Sequence, residues 1–230
     1  MSDPSSTQSI HSKTVIACLV IAALGVGVWF NYYMKVKTEQ IDPRLPMKNR
    51  VEQDILLTDQ HGKQRRFKEL QGKVWVVSWL FTRCSYGCAG LAQELESIQE
   101  KFASEPGFAL VSVTVDPAED TPEVLRNWTA NHGFNGDNWW FVTGEEKSLI
   151  PFMEKNFELS RDPVVDPPKD GPQDKFRHTM AFRLIDAKGN IRGDRYYPFS
   201  EAAGGGYVPR DIRGDIRQLL DEAKKDQQNP

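Results

Sequence analysis

The stretch Val74-Trp-Val-Val-Ser-Trp-Leu-Phe81 carries no charge and offers no polar face to water. A short run of this kind, rich in β-branched and aromatic residues, fits a strand buried on both sides at the centre of a sheet. Two cysteines follow at once, in Phe81-Thr-Arg-Cys-Ser-Tyr-Gly-Cys88. Beyond them Leu91, Leu95, Ile98 and Phe102 recur every three or four residues, which predicts an amphipathic helix over 87–102. A buried strand therefore hands a thiol pair to the turn that opens a helix.

The same strand-and-helix pattern recurs downstream. Residues 54–59 and the turn Gln60-His61-Gly62-Lys63 predict a strand entering a hairpin, with Gly62 free to take positive φ. Residues 108–115 and 139–143 predict two more buried strands. Thr121-Pro122 opens a helix, with Thr121 or Asp120 as its cap and proline tolerated in its first turn. A further helix is expected over 145–157. Residues 160–177 contain Pro163, Pro167, Pro168 and Pro172 and few apolar residues, and they read as a long loop. A hairpin over 179–197 turns at Ala187-Lys-Gly-Asn190, Gly204-Gly-Gly-Tyr207 reads as a surface loop, and a last helix covers 209–224. This order predicts an α/β fold of thioredoxin-like arrangement: a mixed, mostly parallel central sheet flanked by helices, with an antiparallel edge from the final hairpin.

Residues 14–33, TVIACLVIAALGVGVWFNYY, are apolar and uncharged. About 20 such residues in a helix cross a bilayer core of about 30 Å. Trp29, Tyr32 and Tyr33 suit a membrane-water interface, and their bulk argues against a signal-peptide cleavage site. Cys18 lies early in this run, whereas a lipoprotein box needs its apolar stretch before the cysteine. It reads as a small hydrophobe inside a membrane helix. The expected organisation is a tail over 1–13, an anchor over 14–33, a polar linker over 34–49 and one folded domain over 50–225. Lys13 flanks one side of the anchor, and Lys35, Lys37, Arg44, Lys48 and Arg50 flank the other. Counted alone, these charges would keep the domain cytoplasmic, although long domains translocate with little regard to charge.

At 230 residues, 27% charged and 39% hydrophobic, the chain has room for one good-sized domain with a packed core. A net charge of -3, with no basic stripe interleaved with aromatics, argues against a nucleic-acid partner. Three cysteines are too few for a disulfide framework, so the Cys84/Cys88 pair reads as chemical. Backbone N–H groups at a helix start favour thiolate, and Arg83 adds positive charge nearby. A thiolate pair can close a disulfide or grip a soft metal ion. Thioredoxins use a two-residue spacer; three residues put the sulfurs about one helical turn apart on one face, which suits an ion held between them. Such an ion wants a further ligand. His11, His61 and His132 read as surface histidines. His178 lies where the proline-rich loop meets a strand, a junction that faces the cysteine turn in a thioredoxin-like fold. An imidazole there would complete a trigonal Cu(I) site or, with one ligand more, a tetragonal Cu(II) site; a surface histidine is the other reading. Met180, two residues on, would either offer a thioether or fill a core gap.

Four motifs taken in order resemble the Sco/SenC family over residues 51–220. They are Phe81-Thr-Arg-Cys-x-x-x-Cys88, Val115-Asp-Pro-Ala-Glu-Asp-Thr-Pro-Glu-Val-Leu125, Trp140-Phe-Val-Thr-Gly144 and His178-Thr-Met-Ala-Phe-Arg-Leu-Ile-Asp186. The resemblance implies a thioredoxin-like, membrane-anchored copper protein of cytochrome c oxidase assembly, with one copper held by Cys84, Cys88 and His178. It further implies an extracytoplasmic domain, against the charge count, and a copper-receiving subunit of a haem-copper oxidase as partner. Asp116 becomes a candidate for an orienting role beside the metal, since a carboxylate is a hard ligand and a poor first choice for Cu(I). Asp120 reads as a helix cap. Ala89 stands where the family usually has proline, and Met180 where it commonly has a small hydroxyl residue. The alternative function is a thiol-disulfide oxidoreductase that uses Cys84 and Cys88 as its redox pair to reduce the cysteines of a copper-receiving partner. A peroxidase fits less well, because Thr82 lies two residues before Cys84 where that chemistry on this fold places threonine three before.

Overall fold

The computed structural model describes residues 25–30, 45–84, 88–134, 136–165, 175–196 and 212–228, without the side chains of Cys88, Ala89 and Arg195. The chain divides into two units, Met1–Leu45 and Pro46–Pro230. In the first, residues 25–30 are helical, and the rest of the expected anchor lies outside the described residues. Among the described residues no helix is long and apolar enough to cross a membrane. The 204–207 segment and the expected start of the last helix also lie outside them.

The second unit is built on β4 (Val74–Leu80) and β5 (Phe108–Thr114), in which every residue is buried. They run parallel, from Val74 opposite Phe108 to Leu80 opposite Thr114, and β6 (Trp139–Thr143) extends the parallel set beside β5. The crossovers are helical: α1 (Cys88–Phe102) joins β4 to β5, and α2 (Pro122–His132) joins β5 to β6. Strand alternation puts Trp75, Val77, Trp79 and Phe81 in one cluster with Phe152, Met153 and Phe157 of α3 (Glu146–Phe157). Leu91, Leu95, Ile98 and Phe102 of α1 are all buried, as their spacing predicts. The last helix, α4 (Ile212–Gln228), packs near β4.

The remaining strands are β1 (Met47–Arg50), β2 (Leu56–Asp59), β3 (Gln64–Arg66), β9 (Phe182–Ile185) and β10 (Asn190–Tyr196). The sheet order is β1-β10-β9-β4-β5-β6-β2-β3. The sheet is mixed, as expected, but it is not mostly parallel. Among the described residues only the β4–β5 and β5–β6 pairs are parallel; β9 runs antiparallel to β4, and β2 antiparallel to β6. A parallel pair needs a long crossover, and helices supply one only between β4, β5 and β6, whereas each hairpin returns antiparallel. The first strand, β1, opens inside the stretch read as linker and pairs with β10.

Residues 160–177 also depart from the expected long loop. β7 (Arg161–Pro163) and β8 (Phe176–His178) form a separate two-stranded antiparallel ribbon. Arg161 stands opposite His178, and Pro163 opposite Phe176. Proline content concealed this ribbon; a proline at the end of a short edge pairing removes no ladder bond that the ribbon depends on.

The β2–β3 turn forms as predicted, with Gly62 at φ 78°. Its anchor is Asp59, whose carboxylate accepts the backbone N–H groups of His61 and Lys63 and the Nε of Arg65, each at 2.9 Å. Burial works to raise the Asp59 pKa, but the Arg65 hydrogen bond and the two N–H groups outweigh it and hold the carboxyl below its ordinary value. A depressed folded-state pKa contributes stability that is fully present above the unfolded value, about 4, and is lost as pH falls through the folded value. The stability advantage of wild type over Asp59→Asn is therefore expected to be full at neutral pH and to shrink steadily below about pH 4. Denaturant midpoints measured across that range check it, and an advantage constant with pH counts against it.

Candidate metal centre

The cysteine turn begins where β4 runs out of neighbours. The Val115 N–H donates to the Leu80 carbonyl at 2.9 Å, and the Cys84 N–H donates to the Phe81 carbonyl at 3.2 Å, closing a tight turn over 81–84. Cys84 is half-buried and packs against the main apolar cluster. Cys88 is the first residue of α1. Cys84 thus precedes the helix, so helical pitch does not set how it approaches its partner.

Two residues of this turn, Thr82 and Arg83, are held from the β5–α2 connection. Thr82 and Thr114 donate their hydroxyls to the two carboxylate oxygens of Asp120, which is fully buried. The Thr114 hydroxyl also accepts the Asp116 N–H at 2.9 Å. Asp120 is therefore not the helix cap. That role falls to Thr121, whose hydroxyl accepts the Val124 N–H at 3.3 Å, with Pro122 opening the helix. A carboxylate with no exposed surface is better matched to two hydroxyl donors than to a cap facing water.

Arg83, expected to bring positive charge near the cysteines, sits in an ion-pair network. Its guanidinium is paired with Asp116 and with Glu119, the latter at 2.9 Å, so two carboxylates match its charge. The same two carboxylates reach Lys175, at 3.8 Å from Asp116 and 3.7 Å from Glu119. The Arg83 hydrogen bond, with Lys175 beside it, holds the Glu119 carboxyl below its ordinary pKa. Asp116 is 3% exposed and joins the residue before Cys84 to the residue that leads into β8.

The β7–β8 ribbon that carries His178 is fixed to this turn by rings as well as by charge. Phe176 packs edge-on against Phe81, with ring centroids 6.3 Å apart. His178 follows Phe176 by two residues, so both side chains lie on one face of β8. The His178 ring is half-buried, and its Nδ1 lies 3.4 Å from the Thr179 carbonyl. A carbonyl only accepts, so this contact goes with a proton on Nδ1 and leaves Nε2 as the ring nitrogen not turned to Thr179. Thr179 also ties the ribbon at its base: its hydroxyl accepts the Ser160 N–H at 3.1 Å, and its N–H donates to the Ser160 carbonyl at 3.0 Å.

The structure thus brings the segment bearing His178 against the turn bearing Cys84, with Asp116 between their flanking cations. Among the described residues no three His, Cys, Asp or Glu side chains stand together as a metal cluster, and the Cys88 side chain lies outside that description. Met180 is half-buried. His61 is exposed in its turn, and His132 is exposed, with its ring tilted against Trp128 at a centroid distance of 4.3 Å. Reasoning from sequence missed Glu119, Lys175 and Arg161. Of these only Glu119 sat inside a recognised motif.

A thiol at the end of a central β-strand, a helix starting just after it and a histidine ribbon packed alongside define a thioredoxin-like thiol protein. The chain belongs to the SCO1/SenC family, whose model matches residues 44–203. It is 29% identical over 177 residues to an SCO1 protein homolog of Bacillus subtilis, covering 76% of this chain and 87% of that one. It resembles the solved structure of BsSco, a member of the Sco family of cytochrome c oxidase assembly proteins in which a disulfide switch was identified, with a TM-score of 0.60, 24% identity and coverage of 77% and 98%. It also resembles ScoI of Bradyrhizobium japonicum, solved with copper bound, with a TM-score of 0.54, 22% identity and coverage of 73% and 98%.

Proposed function

We propose that this chain is a copper metallochaperone that holds one copper ion through Cys84, Cys88 and His178 and passes it to the copper-receiving subunit of a haem-copper oxidase. The observation that carries the reading is the attachment of the His178 ribbon to the cysteine turn through Phe176 on Phe81 and through Lys175, Asp116, Glu119 and Arg83. Two thiolates and a neutral imidazole suit a soft cation. The ionic groups around them fit as well: an unmatched guanidinium beside Cys84 would repel a cation, and here two carboxylates match it. Asp116 serves as the orienting group, because its Oδ2 is already engaged by Arg83, with Lys175 3.8 Å from the same oxygen. Residues 14–33 act as a membrane anchor that keeps the domain on the extracytoplasmic side, as the family resemblance implies. Few ligands near the surface favour stepwise exchange, in which a partner's thiolates replace these ligands one at a time.

Anaerobic Cu(I) titration of the reduced full-length chain against a competing chelator tests the reading. His178→Ala is expected to weaken binding by roughly 100-fold, the upper end of what losing a supporting contact costs. Unchanged affinity in that variant would remove the histidine from the site. It would favour a thiol-disulfide oxidoreductase, which needs only Cys84 and Cys88.

A further inference from the structure

Arg161 lies in a stretch whose composition predicts loop, yet its side chain is only 10% exposed. Burial to that degree is uncommon for arginine and calls for a matching set of partners. Arg161 has three. Nη1 donates to the Val115 carbonyl at 2.8 Å, Nη2 donates to the Glu146 carboxylate at 2.6 Å, and the guanidinium carbon lies 3.9 Å from the centre of the Phe176 ring. Its backbone stands directly opposite His178 across the ribbon. Val115 in turn donates its N–H to Leu80, the last residue of the strand that delivers Cys84. One guanidinium therefore links the strand ends beside the cysteine turn, the ring two residues before His178 and the backbone facing His178.

A two-stranded ribbon of this length is marginal by its own hydrogen bonds, so side-chain anchors must hold it in place. The Lys175 contacts contribute but are weak anchors by themselves, since that side chain is 57% exposed and its ion pairs are screened by salt. The Arg161 side chain is itself mostly buried, although Glu146 is 48% exposed, and its contacts use the planar fork and the flat face that lysine lacks. We infer that Arg161 is a positioning residue for copper binding, holding the β7–β8 ribbon against the end of β5 so that the His178 imidazole meets the cysteine turn. The inference rests on the reading of Cys84, Cys88 and His178 as ligands, and Arg161 acts through the ribbon without touching the ion.

The test compares full-length wild type, Arg161→Met, Arg161→Lys and His178→Ala. It reads Cu(I) affinity by competition, nitrogen hyperfine coupling in the Cu(II)-loaded protein and folded fraction by denaturant titration. Arg161→Met is expected to lower affinity about tenfold and to weaken the nitrogen coupling while leaving sulfur-to-copper charge transfer in place. Arg161→Lys, which keeps the charge but not the fork, is expected to recover only part of both. Wild-type affinity and coupling in Arg161→Met beside weakened binding in His178→Ala overturns the positioning role alone. Wild-type behaviour in both overturns the ligand reading as well. If both Arg161 variants fail to fold, or lose affinity only in step with folded fraction, the residue is structural and the inference falls.

Discussion

Replacing Cys84 by serine is expected to abolish retention of Cu(I) by the chain while leaving its folded domain nearly as stable as before. Cys84 is half-buried at the edge of the apolar cluster, so exchanging sulfur for oxygen leaves no large cavity. The chemical change is much larger. An alcohol does not ionise near neutral pH and is a hard donor, so the proposed site would fall to one thiolate and one imidazole. The expected loss of affinity is roughly 100-fold or more, and it should exceed that of His178→Ala, because thiolates supply both the charge and the softness. Competition with a Cu(I) chelator under anaerobic conditions measures the affinity, and a denaturant titration of the same copper-free sample measures the fold. Copper retained at wild-type affinity by Cys84→Ser would remove the sulfur from the site. A collapse of stability would instead make Cys84 a core residue first.

Asp120→Ala is expected to destabilise the copper-free chain by about 3 kcal/mol, the largest effect of any single polar change near the site. The carboxylate is fully buried and accepts hydroxyls from Thr82, in the cysteine turn, and Thr114, at the end of β5. Truncation leaves two buried or part-buried hydroxyls without their charged acceptor, at about 1–3 kcal/mol each, partly offset because the carboxylate no longer has to be desolvated. Asp120→Asn keeps one acceptor oxygen and is expected to cost roughly half as much. A double-mutant cycle with Thr82→Val should show a coupling of about 1–2 kcal/mol, since the two groups share one hydrogen bond. Asp120→Ala should also weaken copper binding, because the buried Asp120 carboxylate holds Thr82 in the turn that ends at Cys84. Denaturant midpoints at unchanged m-value check the first expectation. A midpoint within experimental error of wild type would show that Asp120 does not hold the turn.

Many of these features were open to reading before any coordinates. The three parallel strands were legible in Val74 to Phe81, Phe108 to Val115 and Trp139 to Thr143, because a strand covered on both faces must be apolar along its whole length. The helix after Pro122 was legible because a hydroxyl cap and an early proline satisfy the same unpaired backbone groups wherever they occur. Asp120 was misread for a related reason: beside such a helix start, an aspartate looks the same whether it caps the helix or is drawn inward by Thr82 and Thr114. Two other features gave no usable signal. Residues 161–163 and 176–178 are too short and too rich in proline and charge to show strand alternation, and the direction of β9 against β4 depends on how the final hairpin docks.

Patterns spanning a few residues were enough to place the central strands and the helices between them, and to say that a thiol pair emerges between one of each. Backbone preference and one-sided burial act over that distance and need no distant partner. The pairing of Phe81 with Phe176, of Arg83 with Lys175 through shared carboxylates, and of Arg161 with Val115 arose from folding alone. Each joins residues many tens of positions apart, and their meeting follows from how the whole sheet closes, which no local periodicity encodes.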